Sequence, residues 1–481
     1  MREDLATAPP IASLCAGIGF SDHGSEALRK SPYDPKFVRV VLNATDELVN
    51  HTCQVAAETS RKQRARKFNL SSVIDPLLKL EQDINLNSEW LAYTDARWTS
   101  RCFRELIQDS VPKAAETIKW FCSAQKNDSL RLSDLPVLDY VSYARDPIGV
   151  VAAITPWNDP LVTFAWKVVP SLLTGNFLIW KPSEHCLETA HWLVKRLYQH
   201  GLARERLQLL TGGAHVGALL AKHELVDGIS FTGSLRVSMD IASNTTRSRL
   251  RILHLESGGK GCVYLQPTPS CEELDRRVYS IAEAAFYNQG QICSAPSIIL
   301  TPRHQIKSLV DSFKKIGGFF SPQNPICKDS RIGGLISIEK KEELSHLIQS
   351  GDECIRIGEP VDIKTGLSPT LVIEPSQESS FIKEELFGPV LAVVSCESAL
   401  DAANFVNCQT YGLANGIYSS DLQEQRLFAT ATNSGIIHVN CWGRDPLGVP
   451  FGGTRNSGTG KEKCISSLNH FTNIKPICVK L

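Results

Sequence analysis

The sequence predicts an α/β protein that is built on a parallel, doubly wound sheet and continues into a second α/β unit. Short apolar segments alternate with longer amphipathic segments between residues 149 and 259, which is the pattern of strand–helix–strand units. Small or polar residues follow each apolar segment, at the strand ends where open α/β sheets bind ligands. A second series of such segments starts after Gly258.

The elements follow in order along the chain. Residues 1–100 are the least patterned, and 101–125 predict a helix because apolar residues from Phe103 to Phe121 recur at helical intervals, with Pro112 near the helix start. Residues 130–147 predict a strand or hairpin. The doubly wound sheet is predicted from the strands GVVAAIT, NFLIWKPSE, RLQLLTGG, VDGISFTGS and RILHLESGG and the helices TAHWLVKRLYQHG, HVGALLAKH and RVSMDIASN. The second unit is predicted from the helices LDRRVYSIAEAAFYNQG and ALDAANFVN and the strands SIIL, FGPVLAVVSC and GLANGIYSSD.

Composition restricts the classes of function. The 481 residues include 51 basic and 51 acidic residues, a balance that indicates neither a nucleic-acid nor a membrane partner. The basic run RKQRARK (61–67) is interpreted as the solvated face of a surface helix. The fifteen cysteines lack metal-site spacing, so we expect reduced thiols, no bound metal and a cytoplasmic location. Glu3 and Asp4 argue against a cleaved signal peptide.

Cys293, in FYNQGQICSAPS (286–297), is the first candidate for chemistry. A thiolate is a strong nucleophile toward a carbonyl group, and Gly290 ends the predicted helix so that the thiol follows in a loop. The alternative is a buried structural thiol, since cysteine is often buried.

Two polar residues at strand ends are candidates for catalysis. Glu256 follows a buried strand and is suited to act as a general base, with a role as a helix or loop cap as the alternative. Asn158 lies between Pro156 and Pro160, where its amide can donate to an oxyanion, with turn formation as the alternative.

Other strand ends suit a dinucleotide, although the G-x-G-x-x-G fingerprint is absent. Lys181 and Glu184 can bind ribose hydroxyls, or form a surface ion pair. FTGS (231–234) offers hydroxyl and N–H groups at a helix start, either as a phosphate cradle or as a plain helix cap. The predicted sheet edge includes Lys181, Ser183, Glu184, Gly213, Thr232, Ser234 and Glu256.

Taken together, seven motifs resemble the aldehyde dehydrogenase superfamily. They occur in the order PWNDP, KPSE, FTGS, LESGGK, NQGQIC, EELFGPV and PFGGTRNSGTGKE, and the resemblance runs from about residue 100 to the end. The C-terminal stretch is most similar to the branch acting on ω-amino aldehydes, including γ-glutamyl-aminobutyraldehyde dehydrogenases. The resemblance implies NAD as cofactor, with NADP as the alternative, and Glu184 favours NAD because its charge repels a 2′-phosphate.

The resemblance also implies roles for residues. Cys293 matches the catalytic thiol, Glu256 the general base and Asn158 the oxyanion-hole amide. The implied cofactor-binding residues are Thr155, Pro156, Trp157, Lys181, Ser183, Glu184, Gly213, Thr232, Gly233, Ser234, Glu385 and Phe387.

The implied fold has three parts. They are a Rossmann-like cofactor domain (1–128 and 148–257), an α/β catalytic domain (258–458) and a small oligomerisation sheet (129–147 and 459–481), which predicts a homodimer or homotetramer. The sequence departs from the family pattern at Ser257 and Ser238, and ARWTSR (96–101) stands where a family-like ETGK is expected. These departures concern cofactor packing and the N-terminal region.

The implied reaction is NAD(P)-dependent oxidation of an aldehyde to a carboxylic acid through a cysteine thiohemiacetal and thioester. One alternative is a semialdehyde dehydrogenase that acylates coenzyme A, which Glu256 disfavours because that class lacks the glutamate. Another is a catalytically silent structural member, which the intact motifs disfavour.

The residues that the resemblance implies for the substrate tunnel favour a cationic aldehyde. Asp159, Trp166, Trp442 and Asp445 are predicted to line the substrate tunnel, and carboxylates among indoles attract an amino or ammonium group. The alternative is that Asp159 caps a loop and Arg444 neutralises Asp445.

Overall fold

The computed structural model describes residues 9–16, 23–64, 68–127, 133–135, 138–245, 250–350, 352–359, 363–443 and 445–480. The strands within these ranges are β1 (His23–Lys30), β2 (Val38–Ala44), β3 (Ser133–Leu135), β4 (Leu138–Pro147), β5 (Val150–Thr155), β6 (Phe177–Pro182), β7 (Leu207–Leu209), β8 (Gly228–Thr232), β9 (Ile252–Glu256), β10 (Gly261–Leu265), β11 (Pro296–Thr301), β12 (Glu353–Arg356), β13 (Thr370–Ile373), β14 (Val390–Ser395), β15 (Tyr411–Gly412), β16 (Ala414–Tyr418), β17 (Ile436–Val439), β18 (Thr454–Arg455) and β19 (Thr472–Val479).

The α-helices of the same ranges are α1 (Asp46–Arg64), α2 (Ser71–Leu86), α3 (Ser88–Thr99), α4 (Phe103–Glu105), α5 (Val111–Asn127), α6 (Pro160–Leu173), α7 (Leu187–Gln199), α8 (Ala214–Lys222), α9 (Leu235–Thr245), α10 (Cys271–Phe286), α11 (Ile306–Ile316), α12 (Ile338–Ile348), α13 (Ser380–Lys383), α14 (Ala399–Cys408), α15 (Leu422–Ala431) and α16 (Ser466–His470). A π turn (Leu106–Ser110) joins α4 to α5, and 3₁₀ turns cover Tyr287–Gly290, Arg303–Gln305 and Gly317–Phe320.

The first sheet is parallel and has the strand order β7-β6-β5-β8-β9 in the described part of the chain. The chain moves outward from β5 to β7 and then returns to the other side of β5 for β8 and β9. This reversal makes the crevice at the ends of β5 and β8 the expected ligand site. The predicted doubly wound fold is confirmed.

Strand β5 shows why this sheet is covered on both faces. Val151 and Ala153 belong to an apolar core with α2, α5, α6 and α7, whereas Val150 and Ala152 face a second core formed with α1, α8 and α9. Successive side chains of a strand point to opposite faces. A strand buried on both faces therefore needs a continuous apolar run, which GVVAAIT provides.

The second sheet has the order β12-β13-β14-β11-β10-β16-β17, as far as the chain is described. It is parallel except for β12, which pairs antiparallel with β13 at one edge. Strand β10 lies in the interior and alternates between two cores, with Val263 on one side and Tyr264 on the other. The segment from α10 to β11, which contains Cys293, runs into this sheet.

The helix predicted over 101–125 is present but interrupted. Helical residues extend from Phe103 to Asn127, with the π turn between α4 and α5. Pro112 lies at the second residue of α5 and has no N–H to donate to the preceding turn. A widened turn just before the proline relieves this conflict.

Strands β4 and β19 pair antiparallel along their length, from Thr472 opposite Pro147 to Val479 opposite Tyr140, and β3 lies beside β4. They form the sheet that the sequence analysis placed in the oligomerisation segment. The predicted domain boundaries and the oligomeric state stay predictions.

All fifteen cysteines lie within the described ranges and are free thiols. No cluster of three or more histidine, cysteine, aspartate or glutamate residues suited to a metal occurs in the described residues. None of the described helices combines the length and apolar character needed to span a membrane.

Candidate active site

Four strands of the first sheet end side by side. In the pairing register, Thr155 at the end of β5 lies opposite Pro182 of β6, and Thr232 at the end of β8 lies opposite Glu256 of β9. The motifs that follow these strands therefore meet at one edge of the sheet, as the sequence predicted.

The loop before Cys293 has an unusual backbone. After α10 ends at Phe286, Asn288, Gln289 and Gly290 all adopt the left-handed conformation, with φ values of 47°, 57° and 70°. This conformation is costly for residues other than glycine. At Gly290 a side chain is also excluded because a Cβ would collide with the carbonyl oxygen of Gly388.

Hydrogen bonds hold this loop against Asn158. The Asn158 Nδ2 group donates to the carbonyl oxygen of Gln291, at 3.0 Å. The Asn288 Nδ2 group donates to the carbonyl oxygen of Asn158, at 3.3 Å, and the Asn288 N–H donates to the Glu105 carboxylate. The predicted oxyanion-hole amide is thus fixed beside the chain two residues before Cys293.

Cys293 is partly exposed and packs against an apolar cluster. The cluster contains Trp442 and Phe451, and Trp166 packs against it with its ring centroid 4.9 Å from that of Phe451. Burial of the sulfur, followed by the charges of nearby Glu385 and Glu256, raises the pKa of the Cys293 thiol. A nearby base or positive charge is needed to favour the thiolate.

Glu256 is almost fully buried, with 3% of its surface exposed. Neither carboxylate oxygen accepts a well-formed hydrogen bond among the described residues, although the N–H of Gly453 approaches the group. Burial, and then the charge of Glu462, raise its pKa well above the usual range. A carboxyl group with a raised pKa is suited to proton transfer near neutral pH.

Glu385 and Phe387 contact two segments of the site, those of Gly259 and Trp157. The Glu385 carboxylate accepts a hydrogen bond from the Gly259 N–H at 2.8 Å, and burial raises its pKa to about 7. Phe387 has a φ of 52° and its ring packs edge-on against Trp157, with ring centroids 5.9 Å apart. A side chain at Gly258 would collide with the Glu385 carboxylate, so this carboxylate lies directly against the Gly258 backbone.

Several predicted cofactor residues form a polar group after β6. Glu184 lies between two cations, 3.9 Å from the Lys181 ammonium and 3.6 Å from Arg29. Gly213 immediately precedes α8 and lies close to Glu184, since a Cβ added at this glycine would be 3.6 Å from a Glu184 carboxylate oxygen. The Ser183 hydroxyl accepts a hydrogen bond from the N–H of His185. This hydrogen bond stabilises the turn that follows β6.

The remaining predicted cofactor residues follow β5 and β8. The Thr155 hydroxyl accepts from the Trp180 indole at 2.9 Å, and Pro156 follows it. The Gly233 N–H donates to the Glu256 carbonyl oxygen at 3.1 Å, and Ser234 immediately precedes α9. The buried Thr232 hydroxyl has no hydrogen-bond partner among the described residues.

The predicted substrate residues are not all available to a cation. Asp159 forms an ion pair with the fully buried Arg101, with charged atoms 3.3 Å apart. Asp445 pairs with His438 at 3.0 Å, which lowers its pKa. Arg444, the predicted partner of Asp445, lies outside the described residues. Trp442 donates its indole N–H to the carbonyl oxygen of Ser294, beside Cys293.

Two of the three departures from the family pattern, Ser257 and Ser238, contact each other. The hydroxyl of Ser257 donates to that of Ser238 at 2.6 Å, and both residues are buried. Each buried serine hydroxyl therefore has a hydrogen-bond partner. The two residues are 19 positions apart, so neither segment alone reveals this hydrogen bond. In ARWTSR, Ser100 is left-handed with a φ of 58°, and Arg101 follows it into the site.

Sequence reasoning missed Arg101, Lys167, His254 and Glu462. Lys167 could have been found from the sequence, because it is the lone charge in the apolar segment PLVTFAWKVVPSLL. It is fully buried in the structure. Glu462 lies at the end of a quoted motif, PFGGTRNSGTGKE, without a role assigned to it.

Comparisons with known proteins match nearly the whole chain. The family model described as the aldehyde dehydrogenase family matches residues 21–477. The NADP/NAD-dependent aldehyde dehydrogenase PuuC of Escherichia coli is 29% identical over 409 residues, covering 84% of this chain and 82% of PuuC.

Solved structures agree with this match. A mutant of the P. syringae AldA indole-3-acetaldehyde dehydrogenase, in complex with NAD+ and IAA, superposes with a TM-score of 0.92 at 25% identity, covering 99% of this chain and 98% of that one. The γ-glutamyl-γ-aminobutyraldehyde dehydrogenase of Burkholderia cenocepacia superposes with a TM-score of 0.91 at 27% identity, with the same coverage. The chain belongs to the aldehyde dehydrogenase family.

Proposed function

We propose that this protein oxidises an aldehyde to a carboxylic acid with NAD(P), through a hydrolysed thioester on Cys293. The observation that supports this most directly is the proximity of three groups, two from the end of the first sheet and one from the segment before β11. Cys293 follows a strained loop, the Asn158 amide is hydrogen-bonded to that loop, and the buried Glu256 carboxyl is close enough to affect the thiol pKa.

The residues present fit a dinucleotide. The buried Thr232 hydroxyl has no partner in the described chain, and Gly233 and Ser234 lead into the start of α9, where N–H groups favour phosphate. Lys181 and Glu184 would bind ribose hydroxyls, and Glu184 favours NAD over NADP. Glu385 and Phe387 would hold the nicotinamide end, which supplies a hydride acceptor and a positive charge when bound.

The chain's own groups account for the other steps. The Cys293 thiolate adds to the aldehyde carbon, and the resulting oxyanion accepts hydrogen bonds from the Asn158 amide and the Cys293 N–H. Once the thioester has formed, Glu256 takes a proton from water, which attacks the thioester carbon and releases the acid and the thiol. Trp442 lies beside Ser294 and would limit the access of other water to Cys293.

A rapid-mixing experiment with NAD, an aldehyde and no coenzyme A tests this function. We expect continuous NADH formation in the wild type and a loss of at least about 10³-fold in Cys293→Ser, because a hydroxyl is a far weaker nucleophile than a thiolate. Cys327→Ser, which changes an exposed thiol, is the matched control and should keep wild-type activity.

Two results would contradict the proposal. Retained oxidation in Cys293→Ser would remove the thiol from the reaction. Turnover that requires coenzyme A would instead support the acylating alternative.

For the substrate, we infer an aldehyde that bears a distal amino or ammonium group. The indole of Trp442 lies beside Ser294, and Trp166 packs against the same apolar cluster as Cys293. Indole rings suit a cation, and one structural relative is named for an aminobutyraldehyde. Asp445 is the better candidate carboxylate, since its partner His438 is an imidazole whereas Asp159 is paired with the permanently charged guanidinium of Arg101.

Specificity constants for 4-aminobutyraldehyde and butyraldehyde test this inference. We expect the wild type to prefer the amino aldehyde and Asp445→Asn to lose about tenfold of that preference, because it removes one attractive charge. Asp159→Asn, whose carboxylate is paired with Arg101, serves as the comparison. Equal constants for both aldehydes in the wild type would refute the amino-aldehyde class while leaving aldehyde oxidation intact.

A further inference from the structure

A cavity beside α7 shares no lining residue with the candidate active site. Its volume is about 330 Å³, which is at the lower end of the range of small-molecule sites. Arg39 of β2 and Trp90 of α3 line it together with one face of α7, on which residues recur every three or four positions. The α7 residues are Glu188, His191, Trp192, Lys195, Arg196 and Gln199.

Two indole rings form an aromatic side of this cavity. The ring centroids of Trp90 and Trp192 are 5.7 Å apart, with an angle of 38° between the planes. Trp90 is 39% exposed, although a large aromatic ring gains most when it is buried. Two neighbouring indoles at a cavity provide a surface on which a flat ring can stack.

The guanidinium of Arg39 lacks acceptors. Its Nε and Nη1 atoms are buried and have no hydrogen-bond partner among the described residues. Buried N–H groups of an ionised side chain are costly to leave without an acceptor. A bound anion would supply the acceptors, because a planar guanidinium binds carboxylates and phosphates through two parallel donors.

The other charged groups of the α7 wall differ in whether they have partners. The Glu188 carboxylate accepts the Trp98 indole N–H at 2.6 Å, and the Arg196 Nε atom is 3.7 Å from the Asp83 carboxylate. Lys195 is exposed, and none of the ion pairs of the described residues includes it. The cavity therefore has two cations without a counter-charge, those of Arg39 and Lys195.

The charges of Arg39 and Lys195 act on the same part of the cavity. Burial, and then the positive charges of Lys195 and Arg39, lower the pKa of His191 to about 4. The His191 imidazole is therefore neutral near neutral pH and adds no third charge. An anion at this position would be attracted by both cations, whereas a cation would be repelled.

We propose that this cavity binds a small aromatic anion, a single ring that bears a carboxylate or a phosphate group. The ring stacks on Trp90 and Trp192, and the anionic group accepts hydrogen bonds from Arg39 and lies near Lys195. An uncharged ring would leave the guanidinium N–H groups without acceptors, and an inorganic anion would leave the indoles uncovered. The site is independent of the proposed aldehyde oxidation, which uses none of these residues.

Isothermal titration calorimetry on the full-length protein tests the proposal, with saturating NAD present so that the proposed cofactor site is occupied. Phenyl phosphate and benzoate are the probes, and the comparison between them distinguishes a phosphate ligand from a carboxylate ligand. We expect at least one of them to bind at least about tenfold more tightly than inorganic phosphate, which lacks the ring, and benzyl alcohol, which lacks the charge.

Substitutions at the cavity should weaken the binding of that probe. We expect a loss of at least about tenfold in Arg39→Gln, because the amide is uncharged, and of about fivefold in Trp90→Leu, because the stacking surface is lost. Lys195→Gln, at an exposed position where the fold is not disturbed, should lose about threefold. Arg204→Gln is the matched control, since it changes an exposed arginine that does not line the cavity, and it should keep wild-type affinity.

Three results would overturn the proposal. One is a wild type that binds neither probe. Another is unchanged affinity in both Arg39→Gln and Lys195→Gln, which would place the anion elsewhere on the protein. The third is binding of inorganic phosphate or benzyl alcohol as tight as that of the probes, because the indoles or the guanidinium would then contribute nothing. NADH formation from an aldehyde, measured on the same wild-type protein, tests the proposed function separately.

Discussion

Arg101 shows how one buried charge organises the candidate site. Its guanidinium contacts the Asn158 carbonyl oxygen at 3.2 Å, Glu105 at 3.2 Å and the hydroxyl of Tyr287. It also balances the charge of Asp159. A planar guanidinium with several donors suits such a convergent set of acceptors better than an ammonium. The residue that fixes the backbone of Asn158 thus also removes Asp159 as a free anion.

Because the carboxyl group of Asp95 is buried, we predict that the stability of the protein depends on pH. One of its carboxylate oxygens accepts the Thr189 hydroxyl at 2.5 Å, the other is buried without a partner in the described chain, and burial raises its pKa from 3.8 to about 7. Between about pH 4 and pH 7 the folded state therefore keeps a proton that the unfolded state has lost. The free energy of unfolding should fall as pH rises through this window.

We expect Asp95→Asn to weaken this fall, since the amide does not titrate. Urea unfolding at several pH values measures the effect, and Asp75→Asn, at an exposed position of α2, is the control. Parallel stability curves for the wild type and Asp95→Asn would show that the Asp95 carboxyl does not titrate in this window.

At the scale of elements, the turn between α10 and β11 contains a glycine at which a side chain would be both strained and sterically blocked. Gly290 has a positive φ, and a Cβ there would lie 2.3 Å from the carbonyl oxygen of Gly388, whereas Gly201, after α7, has a positive φ of 97° and open space around it. Alanine substitutions at the two glycines therefore distinguish the cost of the left-handed backbone from the cost of a steric collision.

We expect Gly201→Ala to cost about 1–2 kcal/mol of stability without loss of activity, from the left-handed backbone alone. Gly290→Ala should cost more and reduce turnover strongly, because the thiol loop must move to make room. Thermal unfolding and steady-state kinetics on both variants provide the comparison. Equal effects of the two changes would mean that the contact with Gly388 is unimportant.

All five strands of the first sheet could be predicted from the sequence, whereas the elements before residue 100 and helix α6 were not predicted. GVVAAIT and VDGISFTGS become β5 and β8 because continuous apolar runs bounded by small residues are a local signal. The π turn before α5 was not predicted, since the effect of Pro112 depends on a helix that continues through it. The hydrogen bond between Ser238 and Ser257 was likewise beyond local patterns, because it joins α9 to the segment after β9.

At the scale of the whole molecule, the outer strand β19 presents exposed apolar residues. Ile474 is 54% exposed and lies on the same face as Tyr143 of β4, which is 41% exposed. Exposed apolar side chains on a sheet are typical of a surface that another chain covers. We propose a second copy of this chain as that partner, in line with the predicted homo-oligomer.

Ile474→Asp tests this surface. We expect a smaller assembly than the wild type in light scattering coupled to size-exclusion chromatography, because a charge there would be desolvated on association. Leu86→Asp, at an exposed leucine at the end of α2, is the control and should leave the mass unchanged. A wild type that is already monomeric would contradict the predicted oligomer.

The sequence by itself predicted the five strands of the first sheet and named Cys293, Glu256 and Asn158, because apolar periodicity and short motifs are local properties of the chain. Only the tertiary structure decided which partners these residues have. Arg101 meets Asp159 across 58 residues, and His254 meets Glu462 across more than two hundred. Such contacts depend on how the two sheets and their helices pack, and the charge state of each site residue depends on the contacts in turn.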